Sequence, residues 1–120
     1  MYNNKKIGNF GEKIAINYLK RNGYKIISRN LQISNQELDI IAKIKAKWVF
    51  IEVKTCVSEG KNFIADQYMK KNKLDNLKII INKIIIWQNI PNELVRVDLI
   101  AVQINKQEKS AKIKHYFNIL

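Results

Sequence analysis

Glu37-Leu38-Asp39-Ile40-Ile41-Ala42 and Trp48-Val49-Phe50-Ile51-Glu52-Val53-Lys54-Thr55 are two runs of β-forming residues separated only by residues 43–47. A gap that short predicts an antiparallel hairpin. Strand periodicity puts Glu37 with Asp39 on one face and Glu52 with Lys54 on one face, while Leu38, Ile40, Ile51 and Val53 face the other way. A turn over residues 44–47 then sets Asp39 opposite Glu52 and Glu37 opposite Lys54. Directly opposed carboxylates, with Cβ atoms roughly 4.5–5.5 Å apart, repel each other and require a cation or a proton between them.

Outward from this hairpin, residues 24–31 read as a preceding strand, with Ser34-Asn35 as the turn between. Upstream again, Phe10, Ile14 and Tyr18, with Ala15 and Leu19, recur at helical spacing over residues 9–22, and Gly23 supplies a stop. Downstream, Ser58, Gly60 and Asn62 predict a loop over residues 56–66. Leu74, Leu77, Ile81, Ile84 and Ile85 predict a long amphipathic helix over residues 69–87. Pro91 breaks the chain within residues 89–92, and strands are expected over residues 95–104 and 113–117. The order is αβββαββ, an α/β fold in which the helices pack on the two faces of one sheet.

The chain has 120 residues, 47% of them hydrophobic, with one Pro and four Gly, which predicts one folded domain rather than a disordered chain. Its net charge of +12 favours polyanionic partners, nucleic acid first. Lys, Ile and Asn also share A/T-rich codons, so the charge permits such a partner without assigning it. The lone Cys56 closes no intrachain disulfide and no leader-like segment opens the sequence, so the expected compartment is the cytoplasm. The most apolar stretch, residues 79–87, is interrupted by Asn82 and Lys83, and no membrane span or membrane partner is expected.

A divalent metal between Asp39 and Glu52 relieves their repulsion, and an all-oxygen donor set without a Cys/His cluster selects Mg²⁺ or Mn²⁺ over zinc. Metal ions that activate water, with Lys54 beside them to support the nucleophile or the phosphate oxyanion, are the parts phosphodiester hydrolysis needs. Glu12 lies on the helical stripe of Ile16 and Leu19 and is expected to face the sheet and complete the site. The plain alternative is a solvated sheet face with Glu37 and Lys54 as a cross-strand salt bridge of small value, which leaves Asp39 opposite Glu52 unexplained. Arg21, Arg29, Lys70, Lys71 and Lys73 are candidates to track a phosphate backbone. Trp48, Tyr68 and Trp87 are candidates to stack on bases or simply to pack. His115 and Cys56 read as structural, and Asp98 stays outside the catalytic set.

Gly11-Glu12 with Ala15, Tyr18-Leu19, Gly23-Tyr24, Arg29-Asn30, Glu37-Leu38-Asp39-Ile40-Ile41-Ala42, Val49-Phe50-Ile51-Glu52-Val53-Lys54-Thr55 and Val97-Asp98-Leu99-Ile100-Ala101 together resemble the bacterial YraN-like family over nearly the whole chain. That family is similar to Holliday-junction resolvases of the PD-(D/E)xK nuclease superfamily. The resemblance implies a restriction-endonuclease-like mixed sheet flanked by helices. It implies Asp39, Glu52 and the Val53 carbonyl as metal ligands, Lys54 as the catalytic lysine and Glu12 as the first-helix glutamate; Glu37 is expected to orient Lys54 or to supply a contact just beyond the ligands. It further implies DNA rather than RNA as partner, and a homodimer if two strands are cut symmetrically. Two departures stand out: Gln36 occupies the place of the family's usual Gly, and Asp66, Asp75 and several Asn dilute the basic helix. The alternative function is a nucleic-acid-binding module that keeps the fold without cutting.

Overall fold

A computed structural model describes residues 4–58 and 71–120. Helix α1 (Asn4–Arg21) leads into β1 (Lys25–Ile33), β2 (Gln36–Ile44) and β3 (Lys47–Ser58), followed by α2 (Lys71–Gln88), β4 (Val95–Asn105) and β5 (Ser110–Tyr116). The strands form one mixed sheet in the order β1-β2-β3-β4-β5. Every neighbouring pair is antiparallel except β3 and β4, the parallel pair between which α2 lies in the chain. The fold is therefore α/β with the element order that the spacing predicts.

Each helix covers one face of the sheet. Ala15, Ile16 and Leu19 of α1 pack on Ile40, Ala42, Val49, Ile51, Ile100 and Val102. Leu77, Ile80, Ile81 and Ile84 of α2 pack on Leu38, Ile41, Phe50 and Val97. Burying both faces is what lets the central strands carry nearly unbroken apolar runs. The 18 residues of α1 end in a Schellman motif: Gly23 sits at φ 89°, its N–H donates to the Lys20 carbonyl at 3.2 Å, and the Tyr24 N–H donates to the Leu19 carbonyl at 3.0 Å.

Three expectations need correction. Helix α1 begins at Asn4, ahead of the predicted start, because Gly8 and Gly11 lower helical propensity without breaking it and Gly11 lets the helix approach β3. A Cβ at Gly11 would stand 1.8 Å from Thr55 Oγ1. Phe10, assigned to the buried stripe, is 53% exposed. Half-buried Cys56, together with Val57 and Ser58, continues β3 instead of opening a loop. The rest of that expected loop, Tyr68 and Met69 lie outside the described residues.

At the far end of the sheet, the fully buried Asp98 ties down the C-terminal segment. It accepts hydrogen bonds from Arg96 Nη2 at 2.8 Å and from the Asn118 N–H at 2.9 Å, and its Oδ2 lies 2.7 Å from His115 Nε2. Tyr18 Oη lies 2.9 Å from His115 Nδ1, which links this cluster back to α1. Burial pushes the Asp98 carboxyl up, but its hydrogen bonds to His115, Arg96 and Asn118 outweigh burial and hold it below the ordinary range. His115 and Asp98 thus hold the C-terminal segment together, and Asp98 is buried in that cluster instead of exposed.

Candidate active site at the splayed end of the hairpin

The β2–β3 hairpin is closed by Lys45-Ala46, with Lys45 at φ 54°, and its ladder runs from Ile44 paired with Lys47 to Ile40 paired with Ile51. One further step brings Asp39 beside Glu52, in the predicted register. The ladder stops there: the Val53 N–H donates to Asp39 Oδ2 at 2.8 Å, so a side chain takes a main-chain bond.

The pleat also changes phase at this point. Ile40 and Ala42 lie under α1, whereas Leu38, two residues before Ile40, packs with α2. The neighbouring strand changes phase at the same place: Arg29 pairs with Ile40, Leu31 with Leu38, and between them Asn30 adopts φ 53°. Asn is a residue type that tolerates this left-handed conformation at low cost. The expectation that Leu38 shares a face with Ile40, Ile51 and Val53 is therefore corrected. Strict alternation assumes an even pleat, and the kink at Asn30 and Asp39 interrupts it.

The kink sets Asp39 between two buried glutamates on opposite sides of the sheet. From α1, Glu12 is 6% exposed, and its Oε1 has no hydrogen-bond partner and lies 3.9 Å from Arg29 Nε. From β3, Glu52 is 2% exposed; its Oε1 lies 2.9 Å from Lys73 Nζ of α2 and its buried Oε2 has no hydrogen-bond partner. Burial, then repulsion from Asp39, pushes Glu52 up to about 7. Burial and the charge of Asp39 likewise raise Glu12, against the attraction of Arg29 and a hydrogen bond with Asn30. Burial raises Asp39, with the Val53 N–H and Lys73 pulling the other way. Lys73 loses stability as a cation through burial but regains more from Glu52, so it stays firmly charged.

Glu12, Glu37, Asp39 and Lys54 line one cleft of about 590 Å³ beneath the first turns of α1, with Asn30 and Thr55 in its wall. Glu52 opens to the α2 side and does not line it. Among the described residues, no group of three or more His, Cys, Asp or Glu side chains converges closely enough to hold a metal ion. Asp39 and Glu52 are a pair, with Glu12 across the cleft from it. The β2–β3 ladder does not extend to Glu37 and Lys54, which corrects the expected pairing of the two, and no ion pair joins them, so the salt bridge of the solvated-face alternative is absent.

The basic candidates scatter. Arg29 stands by Glu12, and Lys73 is committed to Glu52. Arg21 ends α1, about 13 Å of helix rise beyond Glu12. Lys71 opens α2, and Lys70 lies outside the described residues. Trp48 is half-buried under Lys43, whose Nζ sits 4.8 Å from the ring centroid, while Trp87 is exposed. Sequence reasoning missed Asn30 as a cleft residue and Lys73 as the partner of Glu52. The Arg29-Asn30 pair was visible as a motif, but only the turn in φ gives Asn30 its place. No helix among the described residues is long and apolar enough to cross a membrane.

Residues 11–102 match the model of the uncharacterised protein family UPF0102, the YraN-like family. Similar relatives include a UPF0102 protein of Clostridium botulinum strain Hall, 40% identical over 116 residues covering 94% of this chain and 92% of the relative. A UPF0102 protein of Clostridioides difficile strain 630 is 34% identical over 118 residues, covering 97% of each chain. Another, from Caldanaerobacter subterraneus subsp. tengcongensis, is 35% identical over 118 residues, covering 97% of this chain and 95% of the relative.

Proposed function

The chain belongs to the uncharacterised protein family UPF0102, and from its own site we propose that it is a Mg²⁺- or Mn²⁺-dependent endonuclease acting on DNA, branched DNA in particular. The observation that carries this reading is the pair of adjoining carboxylates, Asp39 and Glu52, both raised by burial and Glu52 further by the charge of Asp39, with an unpartnered oxygen on Glu52. Unpartnered buried carboxylate oxygens are costly and call for a proton, an ordered water or a cation. The donor set fits a hard cation: Mg²⁺ is commonly held by one or two carboxylates and keeps waters and substrate phosphate for its other positions. A pair without a third acid is suited to that, and the Val53 carbonyl is the further ligand that the superfamily resemblance supplies.

When bound, the cation would lower the pKa of a water and offset charge on the phosphate. Lys54, in the same cleft as Asp39, supplies the positive charge that supports the nucleophile or the pentavalent phosphate. Glu12, whose carboxyl burial raises above its ordinary value, takes up a proton more readily than an exposed glutamate, which suits it to orient or deprotonate water. Glu37, exposed at the mouth of the same cleft, is placed to orient Lys54 or to contact it through water.

Mn²⁺ titrated calorimetrically into wild type and Glu52→Gln, followed by incubation with labelled four-way junction, duplex and single-stranded DNA, tests this reading. Metal binding lost in the variant, together with metal-dependent cutting by wild type that Asp39→Ala abolishes, is the expected result. A wild type that binds no Mn²⁺ and cuts none of the three overturns it. One observation favours a second reading, a nucleic-acid-binding module that does not cut. The Lys73 ammonium already sits on Glu52 at 2.9 Å and answers part of the repulsion that calls for a metal. Salt-dependent binding without cleavage is its expected signature.

A further inference from the structure

The proposed active site leaves unused a second cavity of about 560 Å³ on the other side of the first turns of α1, within the roughly 300–1,000 Å³ of ligand pockets. Ile7 borders both cavities, so they flank the same helical turns. The floor is apolar: Ile7, Val57, Ile104 and Ala111. Among the described residues, Lys6, Lys106 and Lys109 stand around it and no acidic side chain lines it. Phe10, 53% exposed, forms one wall, an aromatic ring kept out of the α1 core stripe.

An apolar slot with an exposed aromatic wall and a rim of ammonium groups matches the chemistry of one nucleotide, with a flat base to stack and phosphates on either side to neutralise. We infer that this cavity receives an unpaired nucleotide of the substrate, its base stacked on Phe10 and its flanking phosphates met by Lys6 and Lys109, so that the protein prefers nucleic acid carrying a single-stranded stretch next to the scissile bond. The inference rests on the proposed action on nucleic acid and specifies the substrate for that same site. A paired base, held inside a duplex, cannot enter the slot, so preference for unpaired nucleotides follows from the shape.

The test is fluorescence anisotropy in EDTA, which removes cleavage, with a labelled duplex bearing a single-stranded overhang, the same duplex blunt, and an oligo-dT strand. Phe10→Ala is expected to weaken binding of the overhang duplex and the single strand about five- to 150-fold, the equivalent of about 1–3 kcal/mol per stacked base, and to leave blunt-duplex affinity unchanged. Phe10 is half-exposed, so its truncation leaves the core intact, and circular dichroism checks this. Phe10→Trp, in a Trp48→Phe, Trp87→Phe background so that its emission reports this position, keeps the wall: binding is retained and its emission is quenched by the single strand but not by blunt duplex. Equal binding by wild type and Phe10→Ala, or Trp emission that no single strand changes, overturns the inference, as does a wild type that binds none of the three probes. Stacking at Phe10 without cleavage in Mn²⁺ supports the inference while sinking the nuclease, and cleavage without stacking does the reverse.

Discussion

Removing the charge of Glu52 should stabilise the metal-free protein at neutral pH, against the usual cost of altering a buried residue. Its carboxyl, ordinarily near 4.5, is pushed up to about 7, chiefly by burial and then by Asp39. A group with a raised folded-state value binds more protons folded than unfolded between those two values, so stability falls as pH climbs through that window. Its favourable contribution is complete below about 4.5 and gone above about 7. At about 1.4 kcal/mol per pH unit, the span from 4.5 to about 7 corresponds to about 3 kcal/mol. That figure already includes the attraction of Lys73 for Glu52. Gln mimics the protonated acid at every pH, so the difference in urea-unfolding free energy between Glu52→Gln and wild type in EDTA should grow by about 3 kcal/mol from pH 4.5 to pH 8 in favour of the variant. Differences of shape between Gln and Glu cancel in this comparison because they do not titrate. The raised carboxyl of Asp39 gives both proteins a slope of the same sign. A difference that stays flat across this range refutes the claim that burial and Asp39 oppose ionisation of Glu52. Repeating the pH 8 arm with Mn²⁺ should stabilise wild type and not the variant, because only wild type keeps the carboxylate pair.

Gly11→Ala should destabilise by about 1–3 kcal/mol despite the better helical propensity of Ala, because the new Cβ meets Thr55 Oγ1 at 1.8 Å and Thr55 Cβ at 2.8 Å. Thermal melts of Gly11→Ala with and without Thr55→Gly check this, since only removal of the whole Thr55 side chain clears both contacts. Asp98→Ala should cost about 3–5 kcal/mol at pH 7 by leaving the half-buried Arg96 and the His115 ring without their carboxylate, measured by urea unfolding. Because Asp98 is held below its ordinary value of 3.8, its contribution is present above that value and is lost as pH falls beneath it, and the variant should show a weaker acid dependence than wild type. Lys73→Met should tighten Mn²⁺ binding in calorimetry, since an ammonium competing for Glu52 has been removed; unchanged or weaker binding would show that Lys73 does not compete.

The parts of the fold readable in advance are those whose signals are local. Ser34-Asn35 and Lys45-Ala46 are tight turns, and a two-residue connection fixes register, so the side-by-side placement of Asp39 and Glu52 follows from chain length alone. The helical stripe through Glu12, Ile16 and Leu19 is equally local, and all three are buried. What escaped was set by contacts between distant segments. Leu38 changed faces because Asn30, on another strand, turns to positive φ beside Asp39. Phe10 satisfied the helical spacing of the core yet is half-exposed, because it stands as the wall of a cavity over Val57, Ile104 and Ala111 instead of packing on them. Lys73 looked like one more surface lysine until α2 was laid across the face onto which Glu52 opens.

Lys73 is also where the two functional readings separate. A carboxylate pair this buried is unstable when fully ionised, and protons, a metal or an ammonium can each relieve it. Had the fold kept the pair only as a relic of lost chemistry, the least costly repair would be an apolar side chain at Asp39 or Glu52, since replacing a buried charge pair by packed apolar groups is often neutral or stabilising. Instead both acids remain, one oxygen of Glu52 stays unpartnered, and the cation that meets the other is on a lysine side chain 43% exposed to solvent. A long, partly solvated ammonium is the kind of partner that can swing into water when a divalent ion arrives, because its charge is rehydrated as it leaves. The arrangement is a carboxylate pair met by one displaceable cation, the feature on which the proposed metal-dependent cleavage would draw and which the Lys73→Met titration tests.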